Sequence, residues 1–137
     1  MSRIDLSDDS MCFACGKRNE QGLKLSFEED GEDVVASVSF ARHFQGYRGI
    51  VHGGLISTVL DEAMVTLVNR LGFLAVTADL SVRFLRPLPV ETPVRVRARL
   101  VARRRNVFKL ESVASLADGT EVARARSTFL AQGAATE

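Results

Sequence analysis

The chain has 137 residues, of which 46% are apolar and 26% charged, with a formal net charge of +1. That length and balance describe one globular domain with a real core and exclude a disordered or low-complexity chain. No run of 18 apolar residues occurs, so no membrane span is expected, and the start lacks the apolar core of a signal segment, which makes the cytoplasm the expected compartment.

Charge is unevenly placed. Residues 1–41 carry a balance of −5, and residues 83–126 a balance of +7. A basic half attracts an anionic partner or forms a solvated, Arg-rich sheet face. Nucleic-acid binding is not expected, because the chain has no Trp and one Tyr to stack on bases.

Residues 1–21 read as an irregular N-terminal segment, and 22–132 as a single domain. The segment holds Cys12 and Cys15 in a C-x-x-C spacing, which suits zinc or redox chemistry. A closed zinc site wants four ligands, and only two Cys and two distant His exist. The redox reading wants a βαβ pattern, and none follows. The pair is therefore read as reduced cysteines with no metal and no part in turnover.

Leu23 to Phe27 alternates and predicts a short strand, with a hairpin turn from Glu28 to Asp33. Val34 to Phe40 alternates again as a half-buried strand. Ala41 to Val51 is a loop. From Leu55 to Leu71 the apolar residues cover one broad arc at helical period, ended by Gly72. Thr58, Glu62, Thr66, Asn69 and Arg70 form the narrow polar stripe opposite. Asp61 falls on the shoulder, where a carboxylate is desolvated, paired or used. The helix is preceded by His52-Gly53-Gly54, a turn with backbone donors at the positive end of the helix dipole.

After the helix the period is two. Leu74, Val76, Ala78, Leu80, Val82 and Phe84 are read as one face of a strand. Pro87, Pro89 and Pro93 bracket a connection. Val94 to Leu100 is a strand, Arg103 to Asn106 a tight turn, and Val107 to Leu116 a strand. Asp118-Gly119 is a hairpin turn, and Val122 to Ala131 the last strand. The tail from Gln132 is expected to fray. The order is β-β-α-β-β-β-β. One helix cannot cover both faces of six strands, so the expected α+β architecture is a curved antiparallel sheet wrapped around one long central helix. A free sheet edge or face then invites a subunit contact.

H-G-G at the mouth of a buried helix, an acid nine residues after the His, and the strand T-A-D-L-S-V-R-F-L-R-P together resemble the hotdog-fold acyl-CoA thioesterases of the PaaI type. The leader C-F-A-C-G-K-R-N-E-Q-G-L-K-L resembles one branch of that family. The resemblance spans about residues 12–131. It implies a hotdog fold, a homodimer or homotetramer, and active sites at the subunit interface with the H-G-G turn and the acid from different subunits. It implies the catalytic residues Asp61 as the carboxylate, His52 as the loop histidine, Gly53 as the backbone donor to the thioester carbonyl, and Thr77 as a holder of the attacking water. Gly54 belongs to the same turn. One position departs: the family often has Asn or Gln six residues before the His, and here Gly46 stands there, with Gln45 beside it as the candidate substitute.

Thioester hydrolysis needs an activated water or a nucleophile, and a donor for the carbonyl oxygen as it gains charge. Asp61 can act as general base or as nucleophile, and the first helical N–H as the oxyanion donor. No cofactor is needed. The CoA phosphates want cations, for which Arg103, Arg104 and Arg105 are candidates, with Arg83, Arg86 and Lys109 behind them. The rivals are a non-catalytic acyl-CoA-binding module on the same fold and a hotdog hydratase, which the H-G-G spacing fits poorly.

Overall fold

The computed structural model describes residues 5–134; residues 1–4 of the N-terminal segment and 135–137 of the tail lie outside it. The elements are β1 (Glu28–Asp30), β2 (Asp33–Val38), a 3-10 turn (Arg42–Phe44), α1 (Gly53–Arg70), β3 (Phe73–Phe84), β4 (Val94–Arg104), β5 (Val107–Ser115) and β6 (Glu121–Ala134). They form one antiparallel sheet in the order β1-β2-β4-β5-β6-β3 around the single helix, as the element order requires. Helix α1 packs against β2 to β6. Its Val59, Leu60, Ala63, Met64, Leu67 and Val68 are buried with Val96, Phe108, Leu110 and Phe129. Emptying a fully buried Phe position such as Phe129 would cost about 3–5 kcal/mol. Leu71 caps the helix and Gly72 follows at φ +100°, the left-handed turn that glycine adopts without penalty.

Three expectations need correction. Leu23–Phe27 is no strand: Leu23 and Leu25 donate to the carbonyls of Phe13 and Ala14, so this stretch pairs with the N-terminal segment instead of the sheet. The strand is Glu28–Asp30, turned tightly into Asp33. Second, β3 does not keep one face. Phe73, Ala75 and Thr77 lie on the helix side, with Thr77 opposite buried Phe129. The register then slips at Ala78, and Leu80, Val82 and Phe84 take over the helix side, opposite Ser127, Ala125 and Ala123. One extra residue in one strand reverses the side-chain parity beyond it. Third, Arg103 and Arg104 are not turn residues. The β4–β5 turn is Arg105-Asn106 alone, and a second register slip at Val101 brings Arg103 to the inner face opposite Phe108.

Strand β3 forms one edge of the sheet. It is twelve residues long, and most of Thr77–Phe84 is exposed, Phe84 by 52%.

Candidate active site on helix α1

The loop before α1 is built to present a helix start. Val51 donates to the Leu88 carbonyl (2.8 Å), His52 to the Phe44 carbonyl (3.0 Å), and Gly46 to the Ile50 carbonyl (2.8 Å). His52 is the N-cap residue, and its Nδ1 accepts from the Gly54 N–H at 2.9 Å. In the neutral ring the proton then sits on Nε2, which leaves that edge as a donor. The same bond spends the Gly54 N–H on capping, so Gly54 is not a free donor to substrate. Gly53 differs. As the first helical residue it has no intrahelical acceptor, and its N–H has no partner among the described residues.

Both glycines are closely approached by side chains. A Cβ at Gly54 would lie 3.1 Å from His52 Nδ1, and one at Gly53 would lie 3.3 Å from the Phe84 ring. Gly46 packs against His52 less tightly: a Cβ there would meet the His52 Cα at 3.4 Å, an ordinary contact. Gln45 does not point to a carbonyl site with its oxygen: Oε1 accepts from the Gly49 N–H at 2.9 Å and holds the loop.

Asp61 stands two turns into the helix, half-buried. Burial raises its pKa above the ordinary value, and a hydrogen bond from Thr77 works against that rise. The Thr77 hydroxyl donates to Asp61 Oδ1 at 2.9 Å, while Thr77 itself is exposed. The acid is thus kept partly out of water beside a hydroxyl open to it. Two buried serines fix this region, and neither carries a signal in the sequence beyond being a small polar residue in an alternating strand. Ser112 donates to the carbonyl of Leu60, the residue before Asp61, at 3.0 Å. Ser127 donates to the carbonyl of Asp79, beside the Ala78 slip, at 2.6 Å.

Gly53 and Asp61 lie eight residues apart on one straight helix, about 12 Å at 1.5 Å per residue. Arg103 is farther still. Its guanidinium stacks on Phe73 (4.4 Å) and Phe108 (4.8 Å). Phe73 and Phe84 are opposite ends of β3, about 36 Å apart at 3.3 Å per residue. The arginine triplet is therefore not brought to the helix mouth of its own chain. Arg104 and Arg105 are exposed at the hairpin tip. Lys109 reaches Thr128 at 3.4 Å on the outer face.

Glu62, assigned to the open polar stripe, is instead half-covered by the N-terminal segment. The sulfurs of Cys12 and Cys15 and one Glu62 oxygen lie within 4.8 Å of one another. Both cysteines are free thiols. No helix among the described residues is long and apolar enough to cross a membrane.

A family model described as Thioesterase superfamily matches residues 48–123. Over 89 residues the chain is 32% identical to the acyl-coenzyme A thioesterase THEM4 of Mus musculus, covering 64% of this chain and 38% of that protein. Much of that relative thus has no counterpart in this match. Among solved structures, the PaaI protein of E. coli superposes with a TM-score of 0.76 at 18% identity, covering 82% of each chain. A hypothetical thioesterase of Streptococcus pneumoniae TIGR4, solved with coenzyme A, gives 0.75 at 23% identity over 80% of this chain and 90% of that one. Both share the fold described above. The S. pneumoniae protein has also been solved as an Asp→Ala and as a Thr→Ala variant, at positions sixteen residues apart.

Proposed function

This chain belongs to the thioesterase superfamily, and from that premise we propose that it hydrolyses acyl-CoA thioesters to free acid and CoA in the cytoplasm, as a homodimer or a homotetramer of such dimers. The observation that carries this reading is the Asp61–Thr77 pair, a half-buried carboxylate with a raised pKa beside an exposed hydroxyl. The same spacing of sixteen separates the two positions replaced in the S. pneumoniae thioesterase.

Asp61 and the Gly53 N–H are about 12 Å apart in one chain, too far to serve one thioester. A water and a carbonyl carbon need both within hydrogen-bond reach. Pairing of two chains along the exposed β3 edge supplies the solution: each site takes its helix mouth from one subunit and its acid from the other. The water, held by Thr77, gives a proton to Asp61 and attacks the carbonyl carbon. The Gly53 N–H and the helix dipole stabilise the oxyanion, worth about 3–4 kcal/mol where such donors have been removed. Collapse breaks the C–S bond, and CoA leaves as thiolate. His52 orients the mouth. In the other route Asp61 attacks the carbonyl itself; only that route puts labelled oxygen from water into the protein during turnover. Arg104 and Arg105 are the members of the triplet free to meet CoA phosphates of a partner's site.

The deciding experiment is thiol release by the purified chain over short, medium, long and aromatic acyl-CoAs. Hydrolysis of at least one class is expected. Tight acyl-CoA binding with no release across all of them would replace this reading with the binding module.

A further inference from the structure

The N-terminal segment crosses helix α1 at Glu62. We propose that Cys12, Cys15 and Glu62 form a binding site for zinc or a similarly thiophilic divalent cation, next to the acid–threonine pair but distinct from it. Two thiolates and a carboxylate are a donor set that zinc accepts, and three protein ligands leave a fourth, tetrahedral position for water. Cys12 is exposed, so that position faces solvent. A tetrahedron with zinc–sulfur bonds of 2.3 Å has edges of about 3.7 Å. The three ligand atoms, already within 4.8 Å, close to that size by small side-chain rotations.

The turn that carries the sulfurs has the shape of a ligand knuckle. The Cys15 N–H points at Cys12 Sγ at 3.5 Å, and the Gly16 N–H donates to the Cys12 carbonyl at 2.8 Å. Gly16 is the only residue type this turn admits. A Cβ there would lie 2.5 Å from the Cys12 nitrogen and from the Ser10 carbonyl oxygen, both backbone atoms that cannot move aside. The turn is also anchored from below. Ala14 is buried in the core, and Leu23 and Leu25 pair with Phe13 and Ala14.

Cys15 and Glu62 are both partly buried, and the two groups hydrogen-bond each other. Asp61 and Asp8 add negative charge nearby. A dication held between them would satisfy both groups at once and sit in a negative field.

The test uses the full chain in a non-thiol reductant, stripped with EDTA and titrated with cobalt(II), then with zinc. One cobalt per chain is expected, with sulfur-to-cobalt charge-transfer absorption that zinc abolishes. Zinc should also raise the melting temperature in a concentration-dependent way. Cys12→Ser/Cys15→Ser should lose the charge-transfer band. Glu62→Gln, nearly isosteric, should keep it but weaken affinity by about tenfold or more. A wild-type chain without the band overturns the site, whether or not the serine variant folds. Wild-type affinity in Glu62→Gln removes the carboxylate from the ligand set and overturns the site as stated.

Discussion

The Thr77 hydroxyl donates to Asp61 Oδ1 across 2.9 Å, the bond that joins the edge strand β3 to the acid on helix α1. It lies one residue before β3 reverses its side-chain parity, at Ala78.

Asp61→Asn should lower kcat by about 10²-fold or more, the scale of a lost general base. Stability should move the other way. Burial raises the folded-state pKa of Asp61 above its ordinary 3.8. Its contribution is therefore fully present below that value and is lost as pH rises through the folded pKa. The amide variant should be at least as stable at neutral pH, with the advantage vanishing below pH 3.8. Melting curves over pH, taken with chelator, check this. A variant that unfolds at neutral pH assigns Asp61 a purely structural role.

Thr77→Ala should raise the Asp61 pKa further, because the hydroxyl bond lowers it. The acidic limb of the kcat–pH profile should move to higher pH, and Thr77→Ser should restore it. An unmoved limb would show that this hydroxyl does not set the acid's ionisation.

Most of the fold could be read from the chain, because the 55–71 stripe and the alternating segments are strong periodic signals. His52, Gly53 and Asp61 stand out in the sequence too, as a Gly-Gly turn before an apolar helix and an acid on its shoulder. The strand faces could not. The slips at Ala78 and Val101 fall on residues with no turn chemistry: alternation runs straight through Ala78, and the β4 pattern stops at Leu100, just short of Val101. That is why Leu74 and Val76 do not share the face of Leu80, Val82 and Phe84, and why Arg103 lies on the inner face of a strand and not in a turn. Glu62 reads as part of the polar stripe because its cover comes from an irregular segment that no periodicity foretells.

Sharing of sites between subunits predicts complementation. Asp61→Asn and His52→Ala should each be nearly inactive alone. Coexpressed, half of the dimers are mixed, and each mixed dimer has one intact site of two. Activity should return to about a quarter of wild type if pairing is random. No recovery beyond the sum of the separate variants would exclude the shared site, and an active monomer in light scattering would do the same.

Arg103→Ala should act on stability. Its stacking on Phe73 and Phe108 is worth about 0.5–1 kcal/mol at an exposed position. Thermal unfolding should show that loss with KM for acyl-CoA unchanged. Arg104→Ala/Arg105→Ala should instead raise KM, more at low salt than at high. Unequal effects in the reverse sense would put Arg103 on the phosphates.

Ala78 also sets where this molecule tolerates changes in chain length. The hairpin at Asp118-Gly119 can absorb added residues, since they would project into solvent. At Ala78 a deletion would shift the frame of the whole edge strand. Either Thr77 would leave the acid or Phe84 would leave the mouth, and no side-chain substitution could restore both. Among homologues of any length, insertions should accumulate at the hairpin tips, while the count of residues between Thr77 and Phe84 stays fixed.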